Sequence, residues 1–209
     1  GYPGRIGIHA PFWDINLMAR DPRVRTVVIS RLLESVRFAE AIGATHMVAH
    51  SPFNFFGNPH LVHSPANGLD EEIAIVQETL APVLPRLERM GGTLVIETIY
   101  DRHPRPLLSL VDAIDSDSVR LSLDVGHAYI SHLQGGPTPD EWVREVGSLL
   151  AHVHLQDTDG HLDRHWPPGQ GNVNWFALFE ALAALDEMPR LIVEMRESSD
   201  IRPAVQWLS

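Results

Sequence analysis

The stretch His152–Gly171, HVHLQDTDGHLDRHWPPGQG, decides how the rest of the chain is read. Together with the two residues before it, Leu150-Ala151-His152-Val153-His154-Leu155 alternates as a strand and sends His152, His154 and Gln156 to one face. The polar run that follows carries Asp157, Asp159, Asp163 and His165. It is broken by Gly160, Pro167, Pro168, Gly169 and Gly171, so it can be neither helix nor central strand. Imidazoles and carboxylates are therefore gathered at the carboxyl end of a strand and on the loop after it, where α/β proteins build their active sites. A lone histidine in such a place is ordinarily a satisfied core residue. A cluster of this density, matched at other strand ends, reads as a site.

Upstream, Arg5-Ile6-Gly7-Ile8-His9 has the pattern of a buried strand ended by Pro11, with Phe12 and Trp13 in the loop beyond. Val24, Val27, Val28, Leu32, Val36, Phe38 and Ala39 recur at roughly helical spacing from about Arg23 to Ile42, and Gly43 is a natural stop. His46-Met47-Val48-Ala49-His50 is a second strand, closed by Pro52. From Ser51 to about Leu69 the chain is irregular, and its Phe53, Phe55 and Phe56 suit a packed lid over the mouth of a site. Asp70 is placed to cap a helix running to about Met90, which Pro82 and Pro85 should kink or split. Thr93–Thr98 is a third strand with Glu97 at its end. A short helix over Arg105–Ile114 leads to a fourth, Val119–Asp124, with His127 just beyond. Thr138-Pro139-Asp140-Glu141 is a capping box with proline at the first helical position, predicting a helix through about Val146. Downstream of the opening stretch, Asn172 or Asn174 caps a helix containing Phe176, Leu178, Phe179, Leu182 and Leu185. Arg190–Met195 is then a sixth strand carrying Glu194, and a short amphipathic helix near Ala204–Leu208 ends the chain.

Composition bounds the chemistry. The 209 residues, 44% of them hydrophobic, suit one domain, 1–209, with a real core. No apolar run approaches the ~20 residues of a membrane span and no signal peptide is visible, which favours a cytoplasmic protein. The sequence opens at Gly1 without an initiator Met, as a truncated or processed start would. There is no cysteine, so any metal must be held by His, Asp and Glu. A formal net charge of -11 argues against a nucleic-acid partner, although bound cations would offset part of it.

Strand followed by helix, six times over, implies a parallel sheet with crossover helices, either open or closed into a barrel. The strand ends favour the barrel. His9, His50, Glu97, Asp124, His154 and Glu194 each take the last inward position of a different strand. An open sheet concentrates its site at one switch point, whereas a barrel brings every strand end onto one ring. Solvation of charged strand ends would explain one or two of these residues, but not metal-ligand types on all six.

Gly7-Ile8-His9, Val48-Ala49-His50-Ser51-Pro52, Val95-Ile96-Glu97, Leu123-Asp124-Val125-Gly126-His127-Ala128, Val153-His154-Leu155-Gln156-Asp157, Asp163-Arg164-His165 with Gly169-Gln170-Gly171, and Val193-Glu194 together carry a resemblance. In order and spacing they resemble the motifs of the xylose-isomerase-like TIM-barrel superfamily, which includes sugar and sugar phosphate isomerases and epimerases and the endonuclease-IV type of apurinic-site (AP) endonuclease. The resemblance covers nearly the whole chain and implies a (β/α)8-type barrel. About six β/α units are visible here, as if the first two were absent. Either those units lie outside this sequence or a neighbouring chain covers the gap; the first is favoured, because an unpaired barrel edge invites aggregation.

The same resemblance implies a metal site of Glu97, Asp124, His154 and Glu194, suited to Mn²⁺, Mg²⁺, Co²⁺ or Zn²⁺. The nuclease branch adds a metal on His9, His50 and a bridging Glu97, and another on His127, Asp163 and His165. In an isomerase or epimerase, a metal would bind the carbonyl and neighbouring hydroxyl of a sugar and stabilise the enediolate. Glu97 and Glu194 would remove and return the proton, and His127 or Arg164 would hold substrate oxygens. In the nuclease, a metal-bound hydroxide would attack a DNA phosphodiester. Phe12 and Trp13 stand where that family inserts bulky residues into DNA, but loop aromatics are more often a lid or rim. Acidity and the lack of a basic stripe favour the sugar isomerase or epimerase, acting on a small sugar-like substrate, with a homo-oligomer left open. A metal-binding barrel without catalytic activity is the third reading.

Overall fold

Parallel neighbours need a crossover of a dozen or more residues, and helices between the strands supply it. The computed structural model describes residues 4–53 and 65–209. The chain forms two compact units, residues 1–97 with 105–120, and residues 98–104 with 121–209.

In the first unit, β1 (Gly7–His9), β2 (His46–His50) and β3 (Thr93–Glu97) pair in parallel, with His9 opposite Val48 and His50 opposite Glu97. Helix α1 (Pro22–Ile42) starts where the Asp21 carboxylate accepts the N–H groups of Arg23 and Val24, and it stops at Gly43 in the left-handed conformation, φ 68°. Its Val28, Leu32, Val36 and Ala39 are buried, as are Met47, Leu94 and Ile96 of the strands. The long helix expected over 70–90 is divided into α2 (Leu69–Leu80) and α3 (Leu84–Arg89), with Pro82 in the break and Pro85 in the first turn of α3. Asp70 does not cap α2. Gly68 takes the cap position at φ 85°, and Asp70, Glu71 and Glu72 all fall in the first turn, where carboxylates meet the positive end of the helix. Helix α4 (Arg105–Ile114) completes the unit.

In the second unit, the Leu121–Asp124 end of β4 (Val119–Asp124) pairs in parallel with β5 (Leu150–Leu155). That strand in turn pairs with β6 (Arg190–Val193). Helix α5 (Val125–Leu133) begins directly at the end of β4, where the periodicity suggested no helix; the Asp124 carboxylate caps it by accepting the His127 N–H at 2.8 Å. Helix α6 (Pro139–Val146) carries both halves of its capping box, and α7 (Trp175–Ala183) is capped by Asn174, not Asn172. Strand β6 stops two residues early, leaving Glu194 just past its end, and α8 (Ser198–Leu208) starts six residues before the helix expected there. Leu121, Leu123, Trp142, Val143, Val153, Leu155, Leu178 and Leu182 are buried in this unit. No helix among the described residues is long and apolar enough to cross a membrane.

Candidate functional site

In the second unit, three strand ends converge. Asp124 lies opposite His154 in the ladder, so their side chains leave the same face of the sheet. Glu194 is held level with them by its N–H, which donates to the Leu155 carbonyl at 3.2 Å. His154 Nδ1 lies 2.9 Å from Glu194 Oε2 and 3.8 Å from Asp124 Oδ2. Asp124 and His154 are buried, whereas the Glu194 side chain is 34% exposed. Two carboxylates and an imidazole are the donors that hard and borderline divalent ions take. Ligand bonds of about 2.0–2.6 Å put neighbouring donor atoms roughly 3–4 Å apart, so these residues fit such an ion. One layer below, buried Ser122 and His152 are joined Oγ to Nδ1 at 2.9 Å, and the His152 ring meets the His154 ring edge-on at 4.8 Å.

A second group sits in the same unit. His127 comes from the first turn of α5 and contacts the Thr98 carbonyl through Nδ1 at 3.0 Å, which leaves Nε2 facing Asp163 Oδ1 at 3.4 Å. His165 Nε2 meets the other Asp163 oxygen at 3.0 Å, and its Nδ1 lies 3.9 Å from Glu194 Oε2. Burial alone would raise the Asp163 carboxyl, but the hydrogen bonds and charges of His127 and His165 outweigh it and hold it well below the usual carboxylate range. His165 is raised: burial opposes its charge, and the hydrogen bond and charge of Asp163, with Asp124 and Glu194 behind, prevail. Its backbone takes a left-handed conformation, φ 52°, uncommon for a residue with a side chain.

Two residues that sequence reasoning passed over organise this corner. Buried Gln156 donates from Nε2 to Asp124 Oδ1 and to Asp163 Oδ1, both at 3.0 Å, while its Oε1 accepts the His165 N–H at 3.2 Å. Its alternation with His154 was the available signal. Buried Asp157 staples the loop. Its Oδ1 accepts the N–H groups of Thr158 (2.8 Å) and Val173 (3.2 Å), and its Oδ2 accepts those of Gly169 (2.8 Å) and the Trp175 indole (2.8 Å). Gly171 must lack a side chain here, because a Cβ would clash with that carboxylate. Arg164 is engaged within the loop, donating from Nε and Nη2 to Asp159 Oδ2 and lying over the Trp166 ring at 5.2 Å. The hydrogen bond from Arg164 is the main reason the Asp159 carboxyl is pulled well below the usual range.

In the first unit, His9 Nε2 lies 3.2 Å from Glu97 Oε2, and the His9 and His50 rings meet edge-on at 4.9 Å. Donor atoms of His9, His50 and Glu97 all lie within 4.8 Å of one another, as do those of His127, Asp163 and His165 in the second unit. Phe12 stacks on His50 at 4.8 Å, whereas Trp13 is 78% exposed. Of the aromatic residues expected to form a lid, Phe53 is buried; Phe55 and Phe56 lie outside the described residues.

Residues 4–209 match the sequence model of a family described as the xylose isomerase-like TIM barrel. A protein of Methanocaldococcus jannaschii, named only as uncharacterized, is 28% identical over 211 residues, covering 98% of this chain and 68% of that protein. Another, of Mycobacterium leprae, is 28% identical over 194 residues, covering 85% of this chain and 65% of that protein. Among solved structures, a D-tagatose 3-epimerase-like protein superposes with a TM-score of 0.82 at 24% identity, over 99% of this chain and 76% of that one. A Thermus thermophilus protein, from crystals soaked with ZnCl2, superposes with a TM-score of 0.78 at 28% identity, over 99% of this chain and 77% of that one. The chain thus spans about two thirds to three quarters of the length of these proteins.

Proposed function

We propose that this chain, which belongs to the xylose isomerase-like TIM-barrel family and has a TIM-barrel-type fold, is part of a divalent-metal-dependent isomerase or epimerase of a small sugar or sugar phosphate. The observation that carries the reading is the convergence of Asp124, His154 and Glu194 at the ends of adjacent parallel strands, with donors suited to Mn²⁺, Mg²⁺, Co²⁺ or Zn²⁺. Family resemblance adds Glu97 to the set. Neighbours in fold include proteins named as D-tagatose 3-epimerase-like and as L-ribulose 3-epimerase, which gives the reading its substrate class.

When bound, the ion would polarise the sugar carbonyl and its neighbouring hydroxyl, making the adjacent C–H more acidic and stabilising the enediolate. The chain supplies the proton chemistry. On the family resemblance, Glu97 and Glu194 would exchange the substrate proton. Glu194 suits that work because its side chain is partly exposed and its Oε2 is held 2.9 Å from His154 Nδ1. His127, with Nδ1 facing the Thr98 carbonyl and Nε2 turned to Asp163, would hold a substrate oxygen by exchanging Asp163 for it. Arg164 would do the same only by leaving Asp159.

A second reading, a zinc-dependent AP endonuclease, is favoured by the two other donor groups, His9–His50–Glu97 and His127–Asp163–His165. The net charge of -11 opposes it, since duplex binding rests on clustered cations. Elemental analysis of the zinc-loaded protein and of an Asp163→Asn, His165→Asn double variant separates the two. We expect about one ion per chain in both, and solvent deuterium at the sugar carbon that is deprotonated. Three zinc ions in the wild type, one fewer in the variant, and cleavage of an abasic duplex would overturn the isomerase reading.

A further inference from the structure

We propose that Gln156 is a positioning residue that sets the cation affinity of the Asp124–His154–Glu194 group by holding Asp124 and Asp163 with the two hydrogens of one amide. The inference rests on the metal-dependent reading above and adds to it the residue that tunes the site.

An amide nitrogen has two hydrogens, and here each has a carboxylate to meet. Gln156 Nε2 stands 3.0 Å from Asp124 Oδ1 and 3.0 Å from Asp163 Oδ1. The amide is thus the bridge between two like charges that would otherwise repel. It also settles which oxygen of Asp124 serves which task. Oδ1 accepts the Gln156 amide and the His127 N–H, while Oδ2 is the oxygen on the His154 side, 3.8 Å from Nδ1. The Gln156 carbonyl is engaged as well, by the His165 N–H, so the side chain cannot turn over without exchanging a donor for an acceptor at all three contacts.

Gly126 completes the device. It lies in the first turn of α5, and a Cβ there would clash with the carboxamide end of Gln156. The chain thus keeps a residue of poor helix propensity inside a helix at the one place where the amide needs the room. Groups that orient a metal ligand typically contribute 10–100-fold to metal affinity, although they never touch the metal.

The test is a cycle of Gly126→Ala and Gln156→Ala, read by titrating each protein with Co²⁺ and following its visible absorption. Alanine is a better helix former than glycine, so Gly126→Ala should leave folding intact while pushing the amide off its carboxylates. We expect either single variant to weaken Co²⁺ binding by roughly 10–100-fold. In the Gln156→Ala background, Gly126→Ala should then have no further effect, because the atoms it displaces are gone. Full wild-type affinity in either single variant, or equal and additive losses in the double variant, would refute the role given to Gln156. Asp124→Asn keeps the two failures apart: if it leaves Co²⁺ binding unchanged, the cation reading of the strand-end group falls, and this inference with it.

Discussion

The sharpest test of how the site is built is Asp157→Asn. The carboxylate is fully buried and accepts four N–H groups, two on each oxygen, from Thr158, Val173, Gly169 and the Trp175 indole. Asparagine keeps the shape and one oxygen but turns an NH2 group toward two of those donors. Hydrogen bonds to a charged group contribute about 1.5–3 kcal/mol each, so losing two costs on the order of 3–6 kcal/mol. A neutral amide is easier to bury than a carboxylate, which brings the expected net loss toward ~3 kcal/mol. At a urea slope of about 3 kcal/mol/M, the unfolding midpoint, followed by tryptophan fluorescence, should fall by roughly 1 M with the slope unchanged. Hydrogen exchange should quicken at the amide of Gly169 or of Val173, whichever then faces the NH2 group, because that one loses its acceptor. A loss below about 0.5 kcal/mol, the range of an ordinary surface substitution, would show that the loop is held by something else.

Two further outcomes follow from the same geometry. In the ion-free protein, the raised His165 pKa means that its pairing with Asp163 stabilises the fold fully below the unfolded value of about 6.5 and is lost as pH rises through the folded one. The stability gap between wild type and Asp163→Asn should therefore be larger at pH 6 than at pH 9; equal gaps in urea titrations would contradict the pairing. Thr138→Ala removes the hydroxyl that accepts the Glu141 N–H at the head of α6, and thermal unfolding should show a loss of about 1 kcal/mol. No change would mean that Glu141 alone secures that helix end.

Strand ends were the legible part of this molecule. Alternation in His152-Val153-His154 and the apolar runs before Glu97 and Asp124 identify strands without reference to any partner, because burial on both faces writes itself into local composition. Capping chemistry was legible where it used side chains, as at Thr138, and misleading where the backbone did the work. Asp70 looked like a cap, but the left-handed Gly68 supplied one without a side-chain contact. Helix α5 was missed because Val125-Gly126-His127 has no helical apolar stripe; it is started by Asp124, a residue already assigned to the site. Gln156 and Asp157 went unassigned for a different reason. Apart from the Thr158 N–H, their partners lie 7 to 32 positions away, and spacing along a chain does not report which loop folds back onto which.

The left-handed backbone of His165 changes how any mutational scan of this corner should be interpreted. An alanine placed there loses the imidazole and keeps the conformational strain, a burden of roughly 1–2 kcal/mol for a residue held in that region. Its phenotype would then combine a missing ring with a loop pulled toward other conformations, and the ring would be credited with both. Glycine relieves the backbone and asparagine tolerates it. A series of glycine, asparagine and alanine at 165 therefore separates what the ring does from what the turn does, and the difference between glycine and alanine measures the strain directly.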